Sequence, residues 1–396
     1  MKIGDILRGK VEKLTDRGWG IVNSPSGKIN LHYVIENEEI EFRVKEKAQG
    51  VYWGEILKLI TPSGKRVKVK CPLYNYCGGC NLMHINYEGQ LEYKRKLLIK
   101  NLLNFSNFPP EKINIVPSPP FNYRLRAKLK GRDDGKIGFI KKGKTEVIEL
   151  RDCLLFHPRI NEFINTWNSK EKMPHIPQID LLFNYQKDTL YAHLSKSPPE
   201  DFPFSAFKKT VFSYKGNEIS SISELHIGEY KYLLSPISFF QSNIFLLKKI
   251  LDKVETYSPS GETAIDLYSG VGFFIPILKK KFKRVYAVES SKFSYSLLTK
   301  NFQDIKAYRI QSSKFSFPPA ELIILDPPRS GVEERAMKRL LKRRYPKIIY
   351  LSCSQKGFSK DLKKIIESGY LIKRLSLLDL FPHTPYFETI ALLEAQ

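Results

Sequence analysis

The residues of this chain best suited to chemistry stand in its C-terminal third. Cys353 closes the apolar run Lys347-Ile-Ile-Tyr-Leu-Ser-Cys353, so a strand would deliver its thiol to the edge of a sheet. Taken alone, a cysteine there is equally a small buried hydrophobe. Leu322-Ile-Ile-Leu-Asp326-Pro-Pro-Arg329 is a second buried-strand run, and it ends in a carboxylate and a rigid turn that aims polar groups into a cleft. Glu388 lies in Leu380-Phe-Pro-His-Thr-Pro-Tyr-Phe-Glu388-Thr, an apolar setting that raises a carboxyl pKa into the range useful for proton transfer. Beside a cofactor loop, a thiol and such an acid fit covalent catalysis better than packing.

That loop is Ala264-Ile-Asp-Leu-Tyr-Ser-Gly-Val-Gly-Phe-Phe274. An apolar strand ends at Asp266, a turn holds Gly270 and Gly272, a helix follows, and the run Val285-Tyr-Ala-Val-Glu289 ends in an acid. Strand, glycine turn, helix and strand form the first unit of a doubly wound α/β sheet. The glycines admit a ligand close to the backbone, and Glu289 stands where a carboxylate can hold ribose hydroxyls. A nicotinamide site usually carries a third glycine, where this chain has Ile275, so Asp-x-x-x-Gly-x-Gly fits S-adenosylmethionine better. A sheet whose glycines merely pack remains the alternative.

Three further cysteines crowd into Cys71-Pro-Leu-Tyr-Asn-Tyr-Cys77-Gly-Gly-Cys80, where the Gly-Gly turn lets thiolates face one centre. Cys153 is the other cysteine outside the C-terminal region and the candidate fourth ligand. Four thiolates admit zinc or an iron–sulfur cluster, and spacing alone slightly favours zinc. Five cysteines in all, with no secretion signal and no apolar run long enough to span a bilayer, argue against a disulfide framework and for a cytoplasmic protein.

The net charge of +24 on 396 residues points to a polyanion, with RNA or DNA favoured over an anionic membrane. Arg124, Arg126, Lys128, Lys130 and Arg132 fall at every second position, which on a strand puts all five on one face. Phosphate contact explains that face better than a solvated charge row does, and Lys141, Lys142 and Lys144 extend it.

Around these sites the chain divides into three expected domains. Residues 1–60 read as short strands at regular spacing, a small β-barrel. Residues 61–240 form a central α+β domain, and residues 241–396 the α/β domain. Tyr87–Leu103 has helical apolar spacing, and a Pro-rich linker follows it. No chemistry is assigned to residues 160–235. Ser238-Phe-Phe-Gln-Ser-Asn243 precedes a helix that its polar residues suit as caps.

Several of these motifs resemble known segments. Asp16-Arg-Gly-Trp-Gly-Ile-Val with Glu38-Glu-Ile-Glu-Phe-Arg-Val resembles a TRAM domain, an OB-like RNA-binding barrel. Cys-x5-Cys-Gly-Gly-Cys-x-x-x-His with a distant fourth cysteine resembles the cluster segment of RNA (uracil-5-)-methyltransferases, including the type acting on 23S ribosomal RNA and its tRNA-modifying relatives. The resemblance runs from the barrel to the last twenty residues. It implies a class I, Rossmann-like methyltransferase domain, S-adenosylmethionine and a 4Fe–4S cluster on Cys71, Cys77, Cys80 and Cys153. It also implies that the helix beginning at Tyr87, extended to residue 105, packs on the α/β domain. It further implies Cys353 as nucleophile, Glu388 as base, and Gln241, Tyr268, Gly270, Gly272, Glu289 and Asp326 around the cofactor. Uracil C5 is a poor nucleophile, and thiolate addition at C6 is what activates it. The expected enzyme is thus a monomer that methylates a flipped-out or single-stranded uridine, with 23S rRNA as target and tRNA uridine 54 as alternative. An exocyclic-amine methyltransferase would follow Asp-Pro-Pro with an aromatic residue, where this chain has Arg329, and a non-catalytic iron–sulfur RNA-binding protein would not need Cys353 or Glu388. Three departures stand out: Ser-Cys-Ser-Gln for Ser-Cys-Asn-Pro, Phe273 where the glycine loop usually has Asn, and Ser312 near a usual Asn/Asp position.

Overall fold

The computed structural model describes residues 1–103, 105–215 and 221–396. Residue 104, near the end of the expected helix, and residues 216–220, inside the unassigned 160–235 stretch, lie outside the described residues.

Alternating apolar and polar residues at the N-terminus form β1 (Ile6–Leu14), β2 (Gly20–Ser24), β3 (Gly27–Leu31), β4 (Glu39–Ala48) and β5 (Val51–Thr61). They close into a barrel in the order β1-β2-β3-β5-β4, which leaves no open edge. Val11, Val22, Ile29, Leu31, Ile40, Phe42 and Val44 fill it and are fully buried. Each such side chain contributes about 1.5–3 kcal/mol through burial. One carboxylate is buried with them. Glu38 accepts two hydrogen bonds from Arg66 (2.7 and 2.6 Å) and one each from the backbone N–H of Ile35 (2.7 Å) and Ser63 (3.1 Å). Burial pushes its pKa up, but these partners outweigh burial and hold it below the ordinary carboxylate value.

The helix α1 spans Tyr87–Leu102, and β6 (Asn114–Val116) follows. Next come β7 (Arg126–Gly131), β8 (Ile137–Ile140), β9 (Val147–Glu149), α2 (Pro158–Ser169), β10 (Gln178–Asn184), β11 (Thr189–Leu194) and β12 (Thr210–Tyr214). The six strands after β6 form one sheet in the order β12-β11-β10-β7-β8-β9. A hairpin of β13 (Ser223–Ile227) and β14 (Tyr230–Leu234) precedes α3 (Ile244–Tyr257).

The C-terminal region alternates strand and helix: β15 (Gly261–Leu267), α4 (Ile275–Lys281), β16 (Phe282–Val288), α5 (Lys292–Asn301), β17 (Lys306–Tyr308) and β18 (Leu322–Leu325). There follow α6 (Glu334–Arg343), β19 (Lys347–Ser352), α7 (Gln355–Glu367), β20 (Tyr370–Leu378) and β21 (Glu388–Ala395). The sheet order is β17-β16-β15-β18-β19-β21-β20-β6, with β15 to β19 parallel and β21 antiparallel to both neighbours. Continuous apolar runs such as Leu322–Leu325 are buried on both faces, as a doubly wound sheet requires.

The domain boundaries differ from the expected ones at residues 60 and 240. The chain forms two compact units: Met1–Leu97 with Ile140–Glu146 and Phe381–Tyr386, and Leu98–Phe139 with Val147–Leu380 and Phe387–Gln396. The expected central domain is not separate, because β6 pairs in parallel with β20 and extends the eight-stranded sheet. The division between the two units falls within α1, between Leu97 and Leu98. Among the described residues no helix is long and apolar enough to cross a membrane.

Candidate active site

Parallel strands of one sheet end on the same side, so four acids and a thiol reach one edge. Asp266 is the penultimate residue of β15, Glu289 follows β16, Asp326 follows β18 and Cys353 follows β19. The antiparallel β21 begins at that same edge with Glu388. Ser352 pairs with Thr389, so the next position in the register sets Cys353 opposite Glu388. The sheet order reverses between β15 and β18, which is where doubly wound sheets bind ligands.

The glycine turn is built to leave room. Tyr268, Gly270 and Gly272 all have left-handed φ (71°, 58° and 93°). A Cβ on Gly272 would strike Phe302 and Leu298, so this glycine serves packing. A Cβ on Gly270 would meet nothing within 4 Å, so this glycine borders open space. Glu289 braces the turn: its carboxylate accepts from the N–H of Gly270 (2.9 Å) and of Ser291 (2.6 Å). Tyr268 is tied by a hydroxyl contact with Ser312 (2.9 Å), and it accepts from the Glu333 N–H (3.4 Å). Asp266 is fully buried and neither carboxylate oxygen has a hydrogen-bond partner. Burial, then the nearby Asp326, push its pKa up to about 8. Open space at a glycine beside a buried acid without partners is the cradle expected of an S-adenosylmethionine site.

Cys353 is half-buried between β19 and α7, whose N-cap Ser354 accepts from the Gly357 N–H (3.2 Å). Burial, then Glu388 and Asp326, push the thiol up to about 11. Arg329 opposes them by its charge and a hydrogen bond. Glu388 is 1% exposed, its Oε1 lacks a hydrogen-bond partner, and burial followed by Asp326 raises its pKa far above the ordinary value. Asp326 is raised by burial. Cys353, Glu388, Asp326 and Arg329 are thus one electrostatic group: a resting thiol, two carboxyls whose pKa values burial raises, and one cation favouring the thiolate.

The sequence reading left out the residue that shapes this group. Asp361 of α7 is 1% exposed and accepts from the Val332 N–H (2.6 Å) and the Tyr350 hydroxyl (2.8 Å). Gly331, at φ 85°, lies so close that a Cβ would sit 2.4 Å from its Oδ2. These contacts fix the turn after Asp326 and so the origin of Arg329. An apolar-faced helix with one aspartate gave no signal of this role, because the partners come from two other elements.

The departures have local explanations. Phe273 packs against Phe240 (5.3 Å) and Tyr232 (5.8 Å), and its carbonyl accepts from the Tyr232 hydroxyl (2.9 Å). It thereby fastens the segment holding Gln241, which is buried, to the glycine turn. Ser312 anchors Tyr268. Gln355 donates to Thr389 (3.2 Å), the neighbour of Glu388. Asn243 caps α3, and its Nδ2 also donates to Ser118 (2.9 Å) and the Leu380 carbonyl (3.1 Å).

The basic strand alternates as expected, with Leu125, Ala127 and Leu129 buried. Its charges are not equivalent, however. Arg126 points inward and donates to the carbonyls of Pro236 (2.6 Å) and Phe240 (3.4 Å), and burial lowers its pKa to about 10. This corrects its assignment to an RNA-facing row: it holds the Gln241 segment. Lys128 is exposed beside Asp180 (3.5 Å), Lys130 donates to Gln178 (2.8 Å), Arg132 pairs with Asp134 (2.8 Å), and Arg124 lies over Tyr123. Lys142, expected to extend the patch, donates to the Tyr33 hydroxyl (3.1 Å).

Cys71, Cys77, Cys80 and Cys153 are half-buried and in no disulfide, and the Gly79 N–H donates to the Cys77 sulfur (3.3 Å). Among the described residues no three His, Cys, Asp or Glu side chains gather closely enough to hold a metal ion. The expected four-thiolate centre is therefore not a feature of this geometry, and no chemistry is routed through it.

The family model described as tRNA (Uracil-5-)-methyltransferase matches residues 299–396, which hold Asp326, Cys353 and Glu388. A tRNA (uracil(54)-C(5))-methyltransferase of Pyrococcus abyssi is 30% identical, over 97% of this chain and 99% of its own. An RNA methyltransferase of Aquifex aeolicus, itself uncharacterised, is 29% identical over 98% of this chain and 99% of its own. The crystal structure of the Pyrococcus abyssi tRNA (uracil-54, C5)-methyltransferase with S-adenosyl-L-homocysteine superposes with a TM-score of 0.80, at 26% identity, over 98% of this chain and 100% of that one. With a whole-length relative of this identity and a site of this make-up, the chain belongs to the RNA (uracil-5-)-methyltransferase family.

Proposed function

We propose that the protein methylates C5 of one uridine in tRNA, at the position equivalent to uridine 54, through a covalent adduct of Cys353 with uracil C6. The observation that carries this reading is the register that sets Cys353 opposite Glu388, with Asp326 and Arg329 beside them. S-adenosylmethionine supplies an electrophilic methyl on a sulfonium cation, whose charge favours the ionised forms of Asp326 and Glu388. Arg329 favours the thiolate. The Cys353 sulfur forms a bond to C6, and the C5–C6 π pair moves into an enolate. C5 then takes the methyl group, and the pair of the broken sulfur–methyl bond stays on the departing thioether. Glu388 removes the C5 proton, the C5–H pair restores the double bond, and the C6–S bond breaks to free Cys353. Gln241, Tyr268, Gly270, Gly272, Glu289 and Asp326 would line the cofactor site. Arg124, Lys128, Lys130 and Arg132 would contact phosphates.

The tRNA target is preferred to 23S rRNA because relatives matching nearly the whole chain are named for tRNA uracil 54. The 4Fe–4S reading rests on the family resemblance of the cysteine segment, whose spacing by itself slightly favours zinc. Iron and sulfide assays on protein purified without oxygen test it, and a colourless, iron-free protein removes it.

The deciding experiment is tritium release from uridine C5 in unmodified tRNA and in 23S rRNA transcripts, with S-adenosylmethionine. Release from tRNA alone is the expected result. Methyl incorporation without tritium release would overturn the C5 assignment.

A further inference from the structure

The barrel carries an aromatic cluster that its core does not use. Trp19 stands in the turn between β1 and β2, His32 follows β3, and Trp53 lies on β5, where Asn30 is its parallel partner. His32 stacks on Trp53 (centroids 5.1 Å apart, planes at 27°). Trp19 meets Trp53 edge to face (4.6 Å, 77°) and His32 likewise (5.5 Å, 89°). None of the three belongs to the apolar cluster that fills the barrel, and all three are only half-buried. Two large rings left only half-buried, outside the core, forgo part of the burial that a core side chain gains, which suggests another use.

The setting is firm and cationic. The Trp19 turn is closed by hydrogen bonds between Thr15 and Trp19 in both directions (Thr15 N–H to the Trp19 carbonyl, 2.7 Å; Trp19 N–H to Thr15 Oγ1, 3.1 Å). Tyr93 of α1 donates to the Thr15 carbonyl (2.6 Å), bracing the turn from outside. Arg17 lies over Trp19 at 5.2 Å. Tyr33, beside His32 at 5.8 Å, carries Lys142 over its ring at 4.3 Å. Burial, then the Lys142 charge, lower the His32 pKa to about 4, so its ring is neutral at physiological pH and free of charge repulsion with those cations.

We propose that Trp19, His32 and Trp53 form a stacking platform for an unpaired nucleobase of the substrate RNA, with Arg17 and Lys142 holding the phosphates on either side. Every base has a π-face, and cations at the rim of stacked rings are how barrels grip single strands without reading sequence. The +24 net charge makes a polyanion the complementary occupant. The inference rests on RNA being the substrate, but it names a second contact, made by residues other than those of methyl transfer, through which a splayed strand is held.

The chain has three tryptophans, and the third, Trp167, is fully buried and shielded from contact with RNA, so contact quenching by an added RNA reports on Trp19 and Trp53. The full-length protein is titrated with a short single-stranded oligouridylate and with an RNA duplex of equal length, without S-adenosylmethionine. The platform predicts quenching and tighter binding by the single strand. It also predicts that Trp53→Leu weakens single-strand binding roughly 5- to 100-fold, while Trp53→Phe restores most of it. Thermal unfolding of each variant confirms that it is folded. A folded Trp53→Leu with wild-type affinity overturns the proposal, as does wild-type protein that binds duplex as tightly as single strand. Tritium release from tRNA is followed on the same samples. Binding that depends on Trp53 without any release leaves the platform standing and removes the C5 reading; release that does not depend on Trp53, with affinity unchanged, does the reverse.

Discussion

Glu38 in the barrel and Glu388 at the edge of the large sheet are both buried carboxylates, at 0% and 1% exposure, yet they are treated in opposite ways. Glu38 has a forked guanidinium and two backbone N–H groups, and its pKa falls. Glu388, with Asp266 and Asp326, has other acids for electrostatic neighbours, and all three rise. A structural charge is satisfied within the fold. The charges proposed to work are left incomplete, as a site that a ligand completes would leave them. The contrast separates the residues that hold this protein together from those that await a cation and a base.

The comparison breaks most visibly at the thiol. Cys353→Ala is expected to lower methyl transfer by about 10⁴-fold or more, with unfolding temperature unchanged, as read by tritium release. Residual release near the wild-type rate would remove the covalent route. Glu388→Gln should slow turnover by about 10²- to 10⁴-fold and, since addition and methylation precede proton removal, accumulate a protein–RNA adduct on a denaturing gel. An inactive variant without adduct would place Glu388 earlier in the reaction.

The structural acid should show the reverse pattern. Glu38→Ala leaves Arg66 buried on most of its surface without its partner, and a loss of about 3 kcal/mol in denaturant unfolding is expected. Activity per folded molecule should be unchanged. Because the folded pKa of Glu38 is depressed, its contribution is present above the unfolded value of 4.5 and fades as pH falls below it.

Asp361→Ala tests the link between the two classes. It orphans the Val332 N–H and the Tyr350 hydroxyl and frees the turn that carries Arg329. A fall in kcat of about 10- to 100-fold with little change in cofactor affinity is expected, together with a shift of the pH–rate profile to higher pH as the thiolate loses support. An unshifted profile would make Asp361 structural only.

The smallest effect is the most diagnostic of sign. Asp266 has a folded pKa of about 8 against 3.8 for an ordinary aspartate, so it favours folding most at low pH and that favour drains away as pH rises through about 8. Asp266→Asn should remove this dependence, raising the unfolding temperature at pH 8 by several degrees while weakening S-adenosylmethionine binding in calorimetry. Lower stability at pH 8 would mean that the carboxylate has a partner when folded.

Much of this was legible from local pattern. Strand runs ending in Asp266, Glu289, Asp326 and Cys353 announce themselves, because a parallel strand buried on both faces must be apolar and its polar residues begin where it ends. The glycine turn was legible for the same kind of reason: a left-handed backbone at Gly270 and Gly272 demands residues without Cβ. The five-stranded barrel showed in alternation alone. What local pattern does not contain is where a side chain ends up when two elements compete for it. Arg126 shares the spacing of Lys128 and Lys130, yet the carbonyls of Pro236 and Phe240, over a hundred positions along the chain, draw it inward. Asp361 looks like any helix aspartate until Val332 and Tyr350 meet it. Glu388 acquires its raised pKa only because β21 runs antiparallel and starts opposite Cys353. Residue types and spacing thus determined the elements and the chemistry on offer. Tertiary structure decided which charges are satisfied and which are left waiting, because burial and pairing are properties of positions brought together from distant parts of the chain.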